Sequence, residues 1–211
     1  MKKILLLLFV MLSLIYTPRV NASTESATSY VLLDQDTNRV LLSKNKDKPM
    51  LIASITKIMT CIIALENKNI SDLVVVDDSI KESYGSGIYI SVGEEITLKD
   101  LLYGLMLRSG NDAAIMISTY VSGSVDSFVD LMNQKAKEIG MKNTVFHNPS
   151  GLDNNTIGNT STAYDMALLT SYAMQNKTYR EIVKTKKYTA KTNLKTYIWH
   201  NKNKLLQYDY I

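Results

Sequence analysis

Hydrophobic positions along the chain predict a short hairpin followed by a group of helices. Two apolar runs, residues 30–33 and 39–42, flank the polar residues 34–38, a pattern typical of a β-hairpin. Residues 74–76 form another short apolar run, which we expect to be a strand. From residue 184 onward the pattern predicts short strands and turns.

The longer apolar segments have the spacing of buried helices. Residues 53–66 are apolar on almost every side, which predicts a helix inside the core. Thr97-Leu98-Lys99-Asp100 matches a capping box, so a helix is expected to begin there and to reach residue 107. Three more helices are predicted, at residues 111–121, at residues 124–139 with Gly140 as the stop, and at residues 162–175. Together these elements predict an α+β fold.

The N-terminus has the three-part pattern of a secretory signal peptide. Lys2 and Lys3 precede an apolar run of 13 residues that only a serine interrupts, and Val20-Asn21-Ala22 offers a cleavage site. The run is shorter than the ~20 residues that a spanning helix needs, which argues against the alternative of a membrane anchor. We therefore predict that residues 1–22 are removed after Ala22 and that the chain is exported.

Charge and cysteine content exclude some classes of function. The formal net charge is +4, but residues 1–22 hold three of the 24 basic side chains and no acid. The remaining 21 basic and 20 acidic side chains give a net charge of +1, which is not the basic excess typical of a nucleic-acid binder. Cys61 is the only cysteine, and its apolar neighbours predict a buried, inert thiol.

Ser54 and Lys57 are the first candidate catalytic pair. Their spacing places them one turn apart on the same face at the start of a helix. A lysine can take a proton from serine only when its pKa is depressed, and the apolar residues around Lys57 predict the necessary desolvation. The Ser54 N–H, at the helix N-terminus, could stabilise a substrate oxyanion. A capping serine beside a solvated lysine is the alternative.

Ser109 and Asn111 form a second candidate cluster at the junction of two predicted helices. The Ser109 hydroxyl could pass a proton to a leaving amine, and the Asn111 amide could hold a substrate carbonyl and bond to Lys57. Serine and asparagine are also common helix caps, so a purely structural role fits these two residues equally well in isolation.

Together the two clusters resemble the penicillin-recognising serine enzymes, whose signature is Ser-x-x-Lys, Ser-Asp-Asn and Lys-Thr-Gly. The second motif reads Ser-Gly-Asn here, which is similar to the serine-type D-alanyl-D-alanine carboxypeptidases of low molecular mass, peptidase family S11. The resemblance covers roughly residues 29–211. Its other segments are residues 33–41, residues 148–153, residues 162–167 and residues 201–206.

This resemblance implies a fold, a reaction and roles for the four residues. The fold would be that of β-lactamases and transpeptidases, a helical cluster with an antiparallel sheet. Ser54 would be the acyl-ester nucleophile, Lys57 the proton acceptor and Ser109 the proton relay, while Asn111 would bind substrate. The substrates would be peptidoglycan stem peptides ending in D-Ala-D-Ala, and β-lactam antibiotics would acylate the same serine. No metal, cofactor or nucleic acid is implied.

The third family motif, Lys-Thr-Gly, does not occur in the 211 residues. Lys191-Thr192-Asn193 and Lys195-Thr196-Tyr197 lack its glycine and precede the segment that leads up to it in relatives. We therefore expect residues 23–211 to be a C-terminally truncated catalytic domain. The missing part would include sheet strands and the membrane-binding helix of many relatives. Because such a loss removes an oxyanion donor, we expect little or no turnover.

Three other functions remain as alternatives. The chain could be an inactive remnant that folds poorly or only binds peptidoglycan, since the third motif is missing. It could be a class A-like β-lactamase, although the segment at residues 148–153 has no glutamate to activate the deacylating water. A zinc peptidase fits least well, because His147 and His200 are the only histidines and have no metal-binding spacing.

Overall fold

The fold combines α-helices with short antiparallel strand pairs, as a computed structural model shows for residues 26–153 and 157–207. The described part contains helices α1 to α6. Their bounds are Lys57–Asn67 for α1, Leu98–Arg108 for α2, Asn111–Ser122 for α3, Val125–Ile139 for α4, Ala163–Ala173 for α5 and Lys177–Lys184 for α6. None of the described helices is long and apolar enough to cross a membrane.

The strands of the described chain form four separate antiparallel pairs. The pairs are β1 (Tyr30–Leu33) with β2 (Val40–Lys44), β3 (Met50–Leu51) with β6 (Thr160–Ser161), β4 (Leu73–Val75) with β5 (Glu95–Thr97), and β7 (Lys187–Lys191) with β8 (Thr196–His200). The predicted N-terminal hairpin is confirmed as β1–β2. Its leucines Leu32, Leu41 and Leu42 are each about half exposed.

Helix α1 is the centre of the molecule, because its apolar side chains belong to two hydrophobic clusters. Cys61, Ile62 and Ala64 pack with α2 and α3 in the larger cluster, which also includes Trp199 of β8. On the other side, Met59 and Ile63 pack with α4 and α5 in the second cluster. Burial of this kind keeps the start of α1 in a fixed position relative to the surrounding helices.

The predicted helix ends agree with the structure where a local capping interaction sets them. The side chains of Thr97, Ser124 and Thr162 accept hydrogen bonds from backbone N–H groups in the first turns of α2, α4 and α5. Gly140 follows α4 with φ +87°, a conformation that favours glycine. Cys61 is fully buried as predicted, and burial raises the pKa of its thiol.

One prediction about secondary structure was wrong, and one helix was missed. Residues 53–66 do not form one helix, because a short 3-10 turn at Ala53–Thr56 precedes α1, and Ala53 has a φ of +43° that no α-helix contains. Helix α6 was not predicted. It is an eight-residue helix that is rich in charged residues and buries only Tyr179 and Ile182, so its apolar pattern is short. The predicted signal peptide lies outside the described residues.

Candidate active site

Ser54 lies in the 3-10 turn that leads into α1, with its side chain exposed to solvent. The residue before it, Ala53, has a left-handed backbone conformation that costs a residue with a Cβ roughly 1 kcal/mol. Such strain persists only where the surrounding structure enforces it, and it occurs often at functional sites. The turn brings the Ser54 Oγ to 3.3 Å from the Lys57 Nζ.

The Lys57 side chain is only 2% exposed, and its amine contacts three oxygen atoms. The Nζ lies 2.8 Å from the Asn111 Oδ1 and 2.6 Å from the Ser150 carbonyl oxygen, in addition to its contact with Ser54. The structure therefore brings together three of the four predicted site residues, Ser54, Lys57 and Asn111, although Asn111 lies 54 positions from Lys57 in sequence.

Lys57 has a pKa of about 8, well below the usual value for lysine, and burial is the largest cause. The positive charge of Lys202 also lowers the pKa, whereas the negative charge of Asp112 raises it and opposes part of the effect. A substantial fraction of Lys57 is thus neutral at slightly alkaline pH. A neutral amine can accept a proton, which an ordinary solvated lysine cannot do near neutral pH.

Asn111 is the first residue of α3, and hydrogen bonds to one loop fix its orientation. The Asn111 Nδ2 donates to the Tyr84 carbonyl oxygen at 2.7 Å, and its backbone N–H donates to the Ser86 carbonyl oxygen at 2.8 Å. Because the Asn111 Nδ2 donates to Tyr84, the Asn111 Oδ1 faces Lys57 and accepts its hydrogen bond. The loop that contains Tyr84 and Ser86 therefore decides which atom of Asn111 faces the lysine.

Ser109 occupies the C-terminal cap of α2 and is half-buried. Its φ of +61° is left-handed, and its backbone N–H donates to the Gly104 carbonyl oxygen. Among the described residues, no hydrogen bond joins the Ser109 hydroxyl to Ser54 or Lys57. Ser109 thus lies two residues before Asn111 in the chain but has no direct bond to the candidate pair among the described residues.

A loop at residues 148–152 contributes to the site through its backbone, which sequence reasoning missed. The Asn148 Oδ1 accepts from the N–H groups of Ser150 and Gly151, so this asparagine shapes the loop around the carbonyl that contacts Lys57. Asn159 is fully buried, and its Oδ1 accepts hydrogen bonds from the backbone N–H groups of His147 and Asn148. A backbone acceptor has no side-chain signature, and only the resemblance of residues 148–153 pointed to this segment.

The segment at residues 201–206 also approaches the site. The Lys202 backbone N–H donates to the Leu107 carbonyl oxygen, and the Lys202 Nζ lies 3.5 Å from the Ser86 Oγ. The two triplets that superficially resemble the third motif lie instead around the β7–β8 turn. There Thr192 donates to Glu94, and Lys195 donates to the Tyr89 carbonyl oxygen.

A cavity of about 740 Å³ borders the candidate pair's hydrogen-bond partners. Asn111 and Ser150 form part of its wall, together with Tyr84, Leu152 and Ile157. Ligand pockets typically have volumes of roughly 300–1,000 Å³ and combine apolar walls with a few polar groups. The cavity is therefore in the size range of a ligand pocket, and it reaches the candidate pair through Asn111 and Ser150, since neither Ser54 nor Lys57 lines it.

The fold is that of penicillin-binding proteins and DD-transpeptidases. A D-alanyl-D-alanine carboxypeptidase from Mycobacterium tuberculosis superposes with a TM-score of 0.81 and 29% identity, covering 86% of this chain and 68% of that structure. A point mutant of the Streptomyces K15 DD-transpeptidase gives a TM-score of 0.81 and 35% identity, covering 87% of this chain and 77% of that structure.

The chain belongs to the D-alanyl-D-alanine carboxypeptidase family, peptidase S11, whose family model matches residues 17–211. The D-alanyl-D-alanine carboxypeptidase DacF of Bacillus subtilis is 36% identical over 196 residues, which cover 90% of this chain and 50% of DacF. A D-alanyl-D-alanine carboxypeptidase of Streptomyces is 37% identical, with 89% of this chain and 70% of the relative covered. The chain thus spans half the length of DacF.

Proposed function

We propose that this protein is a serine-type D-Ala-D-Ala carboxypeptidase with Ser54 as nucleophile and Lys57 as base. The contact between the Ser54 Oγ and the buried Lys57 Nζ, 3.3 Å apart, carries the proposal. A buried amine with a pKa of about 8 is suited to take the serine proton, and serine is a poor nucleophile without such a base.

The hydrogen bonds of Lys57 support this assignment, because they direct the lone pair of its neutral amine. A neutral amine has two N–H donors and one lone pair. The Asn111 Oδ1 and the Ser150 carbonyl oxygen are acceptors only, so they engage both donors. The lone pair then faces the remaining contact, the Ser54 hydroxyl. Once protonated, the amine donates to all three oxygens.

The reaction would proceed through an acyl-enzyme. The Ser54 Oγ attacks the carbonyl carbon between the two terminal D-alanines while its proton passes to Lys57. The Ser54 N–H would donate to the oxyanion that forms. The C–N bond then breaks, the last D-alanine leaves with a proton relayed through Ser109, and an ester remains on Ser54. Water hydrolyses that ester and releases the shortened stem peptide.

The substrate class and the location follow from the same proposal. Peptidoglycan stem peptides that end in D-Ala-D-Ala would lie in the cavity beside Asn111, and penicillins would acylate Ser54 in place of the peptide. Such substrates are extracytoplasmic, which agrees with the predicted export signal at residues 1–22. We therefore propose that the protein acts on the cell-wall side of the membrane.

Two measurements on the same preparation test the proposed function. Purified protein would be incubated with a peptide ending in D-Ala-D-Ala, and free D-alanine would be measured over time. A fluorescent penicillin would report covalent labelling in parallel. We expect labelling that is abolished in Ser54→Ala, and little or no release of D-alanine by residues 23–211, because these residues contain no Lys-Thr-Gly motif to supply the second oxyanion donor. Ser43→Ala, an exposed serine of β2, should leave both unchanged.

The outcomes separate the alternatives. Labelling without release would favour a chain that binds and is acylated but does not turn over. Rapid hydrolysis of the penicillin itself would favour a β-lactamase. Release that persists in Ser54→Ala would contradict the proposed nucleophile.

A further inference from the structure

Asp112, the second residue of α3, has a carboxylate that is almost completely buried, with 5% of the residue exposed. It accepts hydrogen bonds from three consecutive backbone N–H groups of one loop. The Ile88 N–H lies 3.0 Å from its Oδ1, the Tyr89 N–H 2.6 Å from its Oδ2 and the Ile90 N–H 3.4 Å from its Oδ2. The Ala113 N–H of its own helix adds a further donor at 2.9 Å.

Two glycines give this carboxylate the space that it occupies. A Cβ on Gly87 would lie 3.2 Å from the Asp112 Oδ2, and a Cβ on Gly110 would lie 3.0 Å from its Oδ1. Both distances are tighter than ordinary van der Waals contact. Close approach of the carboxylate to the loop therefore depends on small residues on both sides, which indicates a specific fit between Asp112 and residues 87–90.

The loop that Asp112 holds is the one that orients Asn111. The Tyr84 and Ser86 carbonyl oxygens accept the Asn111 side-chain and backbone N–H groups. Tyr89 in the same loop has a left-handed φ of +60°, a strained conformation for a residue with a side chain. The three hydrogen bonds to Asp112 surround this residue and supply a reason why the conformation persists.

We propose that Asp112 is a positioning residue of the candidate active site, whose carboxylate fixes the loop of residues 84–90 and thereby the Asn111 amide that accepts from Lys57. The assignment of Lys57 as base rests on the proposed function. Asp112 itself does not touch Ser54 or Lys57 through any described hydrogen bond, so it acts through Asn111 and through its charge.

The charge of Asp112 has a second, separable effect on Lys57. Its negative charge raises the pKa of Lys57, against the effects of burial and of Lys202. Asp112→Asn keeps the size of the side chain and removes this charge. The remaining charged neighbour, Lys202, and burial then both favour the neutral amine, so the pH at which Lys57 becomes a base must fall.

The test compares Asp112→Asn with wild type in two measurements. The first is the second-order rate of labelling by a fluorescent penicillin as a function of pH. We expect the plateau rate to fall roughly 10- to 100-fold as Asn111 loses its position. The midpoint of the pH–rate profile should move to lower pH by roughly one unit. The second is amide hydrogen exchange, where residues 88–90 should exchange at least about tenfold faster.

Asp165→Asn is the matched control. Asp165 is also a buried acid in the first turn of a helix, α5, and it holds another segment by accepting from the Asn143 N–H and the Thr144 hydroxyl. Loss of this carboxylate should destabilise the chain without changing the midpoint of the pH–rate profile or the amide exchange rate of residues 88–90. This variant separates a general loss of stability from a loss of positioning.

The outcomes distinguish failure of this inference from failure of the proposed function. If amide exchange of residues 88–90 is unchanged in Asp112→Asn, the inference is overturned. It is also overturned if both variants show a lower labelling rate and neither shows a shift in the midpoint of the pH–rate profile. If wild-type protein is not labelled at all, the proposed function fails. Hydrogen exchange then still decides whether Asp112 fixes the loop.

Discussion

Lys57 shows at the scale of a single residue how burial lowers the pKa of an amine into the range that the proposed base requires. An exposed lysine stays protonated near neutral pH, whereas Lys57 is enclosed at the start of α1 with a pKa of about 8. The sequence predicted this desolvation, because apolar residues surround Lys57 in the chain. The two acceptors that orient the amine, on Asn111 and Ser150, come from distant segments, and only the structure shows the second of them.

The pKa of Lys57 predicts how acylation depends on pH. Because only the neutral amine can accept the Ser54 proton, the rate of penicillin labelling should rise with pH and reach half its maximum near pH 8. About two pH units below that midpoint, the rate should be roughly 100-fold below its plateau. Stopped labelling reactions between about pH 6 and about pH 10 would measure this. A flat profile would contradict the role of Lys57 as base.

Gly151 is a residue at which a single added carbon should break the site. It has a φ of +76°, and a Cβ there would overlap the Ala53 carbonyl oxygen and crowd the Ser54 nitrogen. We expect Gly151→Ala to lower the free energy of unfolding by about 3 kcal/mol or more and to abolish penicillin labelling. Urea denaturation and labelling of the folded fraction would measure both effects.

Gly140→Ala provides the comparison for that substitution. Gly140 also has a positive φ, +87°, but no atom lies within 4 Å of its added Cβ. Only the backbone strain remains, so we expect the free energy of unfolding to fall by about 1 kcal/mol and penicillin labelling to be unchanged. Equal effects of the two substitutions would show that the close approach between Gly151 and Ala53 does not matter.

At the scale of elements, sequence reasoning succeeded where a short-range interaction sets the boundary. Thr97 and Ser124 cap the helices that follow them, so the start of each helix is visible in a few residues. The 3-10 turn before α1 was not predictable in this way. It depends on the left-handed Ala53, whose carbonyl packs against Gly151 almost a hundred positions later.

The loop at residues 147–152 depends on one buried amide for its position. The Asn159 Nδ2 donates to the Thr56 Oγ1 and to the Asn148 carbonyl oxygen, both at 2.9 Å, while its Oδ1 accepts from His147 and Asn148. All four hydrogen-bonding positions of the side chain are used. This amide therefore links the turn that contains Ser54 to the loop that presents the Ser150 carbonyl.

Asn159→Ala should therefore affect both stability and reactivity. Because it leaves several buried polar groups without partners, the free energy of unfolding should fall by about 3 kcal/mol. The labelling rate of the folded protein should fall by roughly tenfold or more as the Ser150 carbonyl shifts. Asn176→Ala, which removes the cap of α6, should cost about 1 kcal/mol and leave the rate unchanged. An unchanged rate in Asn159→Ala would argue against the linking role.

At the scale of the whole molecule, the candidate site lies where distant segments meet around the start of α1. Ser54 and Lys57 are close in sequence, but Asn111 and Ser150 lie 54 and 93 positions from Lys57. Pattern and spacing alone do not predict such contacts. The bond between Lys57 and Asn111 was expected from the chemistry of the two candidate clusters, and the structure shows it. The chain's membership of the S11 family confirms the resemblance that joined the clusters.

The backbone contacts and the buried acid around the site could not be predicted from the sequence patterns or from the family resemblance. The Ser150 carbonyl has no signature in the sequence, and Asp112 reads as an ordinary acid in the first turn of a helix. Their roles depend on which loops pack against α1 and α3. Two hydrophobic clusters on opposite sides of α1 determine that packing.

We propose above all that Ser54, activated by Lys57, forms a covalent acyl-enzyme. Mass spectrometry of penicillin-treated protein tests it most directly. The intact chain should gain the mass of one penicillin, and digestion should place that mass on the peptide containing Ser54. Ser54→Ala should gain nothing, and Lys57→Met should be acylated at least about 100-fold more slowly. An adduct on another residue, or equal modification of Ser54→Ala, would contradict the account.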